Sequence, residues 1–114
     1  MDHTVEEKSF RFAVRIVKLC QHLDESRQAY VLTKQLLRSG TSIGANIAEA
    51  QQAQSRADFI SKLSISLKEA SETDYWLRLL HATGLLSDAV FSSVIQDCRE
   101  LEKMLTAILK SSKL

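Results

Sequence analysis

Apolar residues recur along this chain at helical spacing in four separate runs, with no stretch of strict apolar–polar alternation. The first run predicts a helix over about Lys8 to Leu23. At about 100° per residue, Lys8, Arg11, Arg15, Lys18 and His22 fall within one narrow sector. Phe10, Phe12, Ala13, Val14, Ile16, Val17, Leu19, Cys20 and Leu23 cover well over half of the circumference. A bundle core uses one side of that arc, and the surplus predicts a second packing surface. In a small soluble protein that means a subunit interface. Asp24-Glu25-Ser26 reads as a connection, with Ser26 the N-cap of a second helix from about Arg27 to Gln52.

Ser55, with Asp58 three residues on, opens a third helix that extends to about His81. Ser64, Ser66 and Ser71 make that helix thin in places, allowing a neighbour to come close. Gly84, after Thr83, ends it as the C′ residue. Ser87-Asp88 opens a fourth helix to about Lys110, striped with Val90, Phe91, Val94, Ile95, Cys98, Leu101, Leu105 and Ile108. Short connections place such helices antiparallel to their neighbours. The expected fold is all-α: an up-down-up-down antiparallel four-helix bundle, its second helix bent near Gly40, as one domain over residues 1–114 with frayed ends at 1–7 and 111–114.

The middle of the second helix breaks the usual rules. Gly40 and Gly44 each cost about 1 kcal/mol in a helix interior relative to alanine. A bend, a close helix–helix approach or a backbone left open to a partner would offset them. Ile43, Ile47 and Ala50 keep helical spacing while Asn46 and Glu49 lie one turn apart on a neighbouring face. Arg38, Asn46, Glu49 and, from the third helix, Glu69 make a candidate polar notch.

Composition narrows the picture. The 114 residues contain no proline, three glycines and 45% hydrophobic residues, as a single helical domain requires. A net charge of +1 means that any nucleic-acid surface must gather its cations on one face. Cys20 and Cys98 form no paired motif and lie in apolar runs, as buried reduced thiols do. The N-terminus is acidic and lacks a signal-like apolar run, and no segment reaches the roughly 18 apolar residues of a membrane span. The expectation is a cytoplasmic protein.

Catalytic chemistry is not indicated. No serine lies in a nucleophile elbow, and Gly40-x-x-x-Gly44 lacks the lysine of a phosphate-binding loop. His3, His22 and His81 are isolated, so Glu49, Glu69 and Glu72 have no histidine partners for a metal site. These glutamates are expected instead to hydrogen-bond within the bundle or pair with Arg38 or Arg78, fixing helix register. Tyr75 and Trp76 could stack on bases, but the pattern favours a structural place for at least one of them. The expectation is a non-enzyme with no cofactor and no metal.

The run from Ser39 to Ala50, followed by Ser55, Asp58-Phe59, Ser66-Leu67-Lys68-Glu69 and Thr73, resembles a bacterial four-helix-bundle family. That family includes proteins encoded in intervening sequences of large-subunit ribosomal RNA genes and accessory variability proteins of diversity-generating retroelements. The resemblance runs from Phe10 to about Leu109. Ala50 and Ile65 stand where the family usually or often has glycine. The resemblance implies a homopentamer, and its retroelement branch implies structured RNA and a reverse transcriptase as partners. Assignment of nucleic-acid binding to Lys8, Arg11, Arg15, Lys18 and His22 comes from their spacing. The leading expectation is a homo-oligomeric adaptor that binds structured RNA through a basic surface, beside a reverse transcriptase or ribosome-associated partner. The alternative is a protein–protein scaffold in which the stripe is only a solvated face.

Overall fold

A computed structural model describes residues 4–24 and 30–112. Four helices follow in order: α1 (Val5–Asp24), α2 (Tyr30–Ala50), α3 (Arg56–Ala82) and α4 (Asp88–Ser112). No strand occurs among the described residues. The expected connection around Ser26, the second helix's start near Arg27 and the last residues, 113–114, lie outside the described residues. Helix α1 starts earlier than the periodicity predicts. Thr4 Oγ1 accepts from the Glu7 amide at 3.2 Å, Glu6 and Glu7 suit the positive helix end, and Val5 is buried.

The caps of α3 follow their local sequence. Ser55 adopts extended backbone and its hydroxyl accepts from the Asp58 amide at 3.0 Å, while Asp58 Oδ2 accepts from the Gln54 amide at 3.2 Å. At the other end Gly84 has φ +81°, a conformation that costs a glycine nothing. The Leu85 amide bonds Leu80 O at 2.9 Å and the Gly84 amide bonds His81 O at 3.1 Å, closing a Schellman turn. Ser87 Oγ accepts from the Val90 amide and caps α4.

Cross-helix bonds give the topology. Gly40 faces Ile16 and Gly44 faces Ser9, so α1 and α2 run antiparallel. Ser66 Oγ donates to Ile43 O at 2.8 Å and Thr73 Oγ1 donates to Ser39 Oγ at 2.9 Å, setting α2 against α3. Cys98 Sγ donates to Ala70 O at 3.4 Å, and His81 stacks on Phe91, setting α3 against α4. The fold is the up-down-up-down bundle, with α1 and α4 the least intimate of the neighbouring pairs.

The sequence Ser39–Ile47 sits at the heart of this packing. A Cβ on Gly40 would stand 2.9 Å from Ile16 Cγ2, and one on Gly44 would stand 3.2 Å from the Ser9 carbonyl oxygen. Helical structure continues through both glycines. Both glycines thus stand where α1 and α2 approach closely. On the α3 side Ser66 is likewise fully buried, and its hydroxyl reaches the backbone of α2. Ser64 and Ser71 remain off that seam.

One buried hydroxyl in this core, Thr33 Oγ1, has no hydrogen-bond partner among the described residues. An unsatisfied buried hydroxyl costs about 1–3 kcal/mol. Thr33→Val keeps the shape and removes that cost, so it should raise stability by about 1 kcal/mol in chemical denaturation. A destabilised variant would show that the hydroxyl is satisfied in solution.

Candidate nucleic-acid interface

The basic stripe of α1 lies against α4. Lys8 Nζ pairs with Glu100 Oε1 at 3.0 Å; Arg15 Nη1 meets Asp97 Oδ2 at 2.6 Å and its Nη2 meets Ser93 Oγ at 2.7 Å. With Arg11 they line a groove whose floor is Phe12 and Leu101. These pairs close the loosest seam of the bundle with charge. Each is partly exposed, so each adds well under 1 kcal/mol. Arg11, Lys18 and His22 point outward. Helical spacing thus places five basic groups on one flank, and the tertiary structure commits Lys8 and Arg15 to carboxylates.

The opposite flank of α1 is apolar and open. Phe10 is 68% exposed, and Val14 and Val17 are partly exposed beside it. Next to Phe10 a groove of about 340 Å³ runs between α1 and α2, lined by Ala13, Thr41, Gly44, Ala45 and Ala48. Leu37 and Tyr30 extend the exposed apolar surface along α2. This is the surplus of the helix-one arc, turned away from the core. No helix among the described residues is long and apolar enough to cross a membrane.

Of the four notch residues only Arg38 and Glu69 meet. Arg38 Nη1 reaches Glu69 at 3.2 Å and its Nη2 pairs with Glu72, which also accepts from Trp76 Nε1 at 2.9 Å. The Trp76 and Arg38 hydrogen bonds hold the Glu72 carboxyl below its usual range, although burial opposes them. Asn46 instead donates to Ser42 O of its own helix, and Glu49 pairs with Lys62 at 2.9 Å. Arg38 with Glu69 and Glu72 ties α2 to α3 beside Trp76. Glu72, rather than Asn46 or Glu49, completes that cluster.

A second polar cluster, between α3 and α4, escaped the sequence reading. Asp74 has a side chain only 12% exposed; its Oδ1 accepts from Arg78 Nε at 2.8 Å and its Oδ2 from Arg99 Nε at 3.0 Å. Burial resists the charge, but hydrogen bonds from Arg99, Arg78 and Glu102 keep the carboxyl below its ordinary range. Glu102 goes the other way: burial, then its hydrogen bond and proximity to Asp74, push it up to about 7. Burial also pushes the Cys98 thiol upward. The signal available was Asp74 itself, an acid set between Ala70 and Leu77 on the buried stripe.

Asp74, Cys98 and Glu102 bring their ligand atoms within 4.8 Å of one another. They are nevertheless poor metal donors. Two guanidiniums already occupy the Asp74 oxygens, burial and Asp74 push Glu102 toward its neutral form, and burial does the same to the thiol. His81 pairs with Asp88 at 2.7 Å, His22 is exposed on α1, and His3 lies outside the described residues.

Comparison with known proteins places this arrangement. The chain matches a solved crystal structure with a TM-score of 0.92 and 54% identity, over 94% of this chain and 99% of the other. That structure is a protein of unknown function from the S23 ribosomal protein family of Bacteroides thetaiotaomicron VPI-5482. No curated protein matches the chain. The family model for 23S rRNA-intervening sequence proteins matches residues 1–107, nearly the whole bundle. This chain belongs to the 23S rRNA-intervening sequence protein family.

Proposed function

We propose that this protein is a non-enzymatic homo-oligomeric adaptor that binds structured RNA through a basic surface repeated by assembly. The observation that carries the reading is the division of α1: an open apolar flank at Phe10, Val14 and Val17, and a basic flank at Arg11, Lys18 and His22. Covering the first flank with a second copy would set the basic flanks of neighbouring subunits at a fixed repeat. A field concentrated in this way does not need a large net charge. Five is the subunit number that the resemblance implies. A reverse transcriptase or a ribosome-associated protein is the class of partner it implies.

Binding of this kind is led by phosphate contacts, so log affinity should fall with log salt by about 0.9 for each phosphate neutralised. Fluorescence anisotropy of a labelled RNA stem-loop across a salt series tests it. Arg11→Glu/Lys18→Glu should bind at least tenfold more weakly with an unchanged subunit count in sedimentation. That variant spares the Arg15–Asp97 bridge and the seam it closes. The pairing of Lys8 with Glu100 and of Arg15 with Asp97 favours the scaffold reading, in which α1 only assembles. Absence of binding by the wild type at low salt would establish that second reading instead.

A further inference from the structure

The Asp74 cluster has a feature that a structural ion pair does not need. Arg78 and Arg99 each bond Asp74 through Nε, and no Nη nitrogen of either makes a hydrogen bond among the described residues. Both side chains are 54% exposed. Two forked cations, one from α3 and one from α4, are therefore held side by side by opposite oxygens of one nearly buried carboxylate. Their outer edges are left to solvent. Guanidinium edges of this kind match the paired oxygens of a phosphodiester. The anchor removes much of the rotamer freedom that long cationic side chains otherwise lose on binding.

An aromatic ring lies under the Arg78 guanidinium of the pair. Tyr75 is 50% exposed, its ring centroid lies 5.8 Å from Arg78 Cζ, and Trp76 meets its edge at a centroid distance of 5.1 Å. Trp76 is itself tied to Glu72, so the platform is braced from behind. Of the acidic residues on α4, Glu102 lies within the Asp74 cluster with its carboxyl pushed toward the neutral form, while Asp97 and Glu100 are turned to Arg15 and Lys8 of α1. An exposed ring next to two phosphate-matching cations has the make-up of a single-strand site, where bases stack and backbone charge is neutralised.

We infer that Tyr75, Arg78 and Arg99 bind an unpaired nucleotide of an RNA strand, the guanidiniums taking the phosphodiester and the ring taking the base. Asp74 is the positioning residue. The inference rests on the RNA half of the proposed function and locates a second contact. The α1 flank meets the backbone of paired segments and the α3–α4 site meets the loops between them.

The test compares a labelled RNA single strand of about ten nucleotides with its duplex by anisotropy. Tyr75→Ala, at an exposed position, should keep the melting temperature, weaken single-strand binding about tenfold and leave duplex binding unchanged. Arg78→Gln/Arg99→Gln should lower the single-strand salt slope by about 0.7 for the phosphate released. Asp74→Asn should weaken single-strand binding although it makes the protein more positive, whereas a mere charge effect would tighten it. Unchanged single-strand binding in both the tyrosine and arginine variants overturns the site while leaving RNA binding on α1 intact. Wild-type protein that binds neither probe overturns both readings together. Equal competition by a polyglutamate peptide, with Tyr75→Ala silent, replaces the nucleotide by an acidic protein partner.

Discussion

Gly40→Leu is expected to destabilise the bundle by about 3 kcal/mol, at the upper end of overpacking costs. For a domain of this size that lowers the melting temperature by roughly 12 °C. A leucine is a far better helix former than glycine, so propensity alone predicts a gain of about 1 kcal/mol. Packing decides the sign. The first added carbon would stand 2.9 Å from Cγ2 and 3.0 Å from Cγ1 of Ile16. Ile16 is fully buried and branched at Cβ, so it has no spare rotamer to move into. Pairing the substitution with Ile16→Ala makes room. The double variant should then be more stable than the sum of the single effects predicts, by about 1 kcal/mol or more. Strict additivity in thermal denaturation would mean that the two helices do not meet at this point.

Stability should fall by roughly 2 kcal/mol between pH 5 and pH 8, and Glu102→Gln should abolish most of that fall. Glu102 binds its proton more tightly in the folded protein, at about 7, than at its ordinary value of 4.5. A raised carboxyl value contributes stability that is fully present below about 4.5 and is lost as pH rises through about 7. At about 1.4 kcal/mol per unit the whole shift would be worth about 3 kcal/mol, and partial exposure of the group reduces it. Asp74 acts at the other end. Its lowered value means that its arginine contacts stabilise the fold above about 3.8, and that this stability is lost as pH falls further. Urea denaturation of wild type and Glu102→Gln at several pH values separates the two. Parallel pH profiles would show that Glu102 is ionised at neutral pH in the folded bundle.

Much of the architecture was legible because it is local. Ser55 and Asp58, or Thr83 and Gly84, are neighbours in sequence, and their capping bonds close within one or two turns whatever the rest of the chain does. The four apolar stripes are read equally directly, since side chains three and four apart share a helix face. The surplus apolar arc of α1 belongs to the same class: one stripe cannot bury both Ile16 and Phe10, and Phe10 stays outside.

The candidate sites were legible only in part, since periodicity on one helix is silent about the helix beside it. Lys8, Arg11, Arg15, Lys18 and His22 share a sector, yet whether that sector meets water or Glu100 and Asp97 depends on where α4 docks, some 80 to 90 residues away. Arg38 found Glu69 and Glu72, while Asn46 turned back to its own helix, because the α2–α3 register puts Arg38 opposite those glutamates and Asn46 one face away. Asp74 has Arg78 one turn away on its own helix, but Arg99 reaches it only because α4 docks there, 25 residues further along the chain. The sequence by itself determined the helices, the caps of α3 and the buried faces, while the close approach of α1 at Gly40 and Gly44 became visible only when α1 was docked against α2. Tertiary structure alone decided which charges are matched and which cations stay open, because Coulomb and hydrogen-bond energies depend on distances between helices.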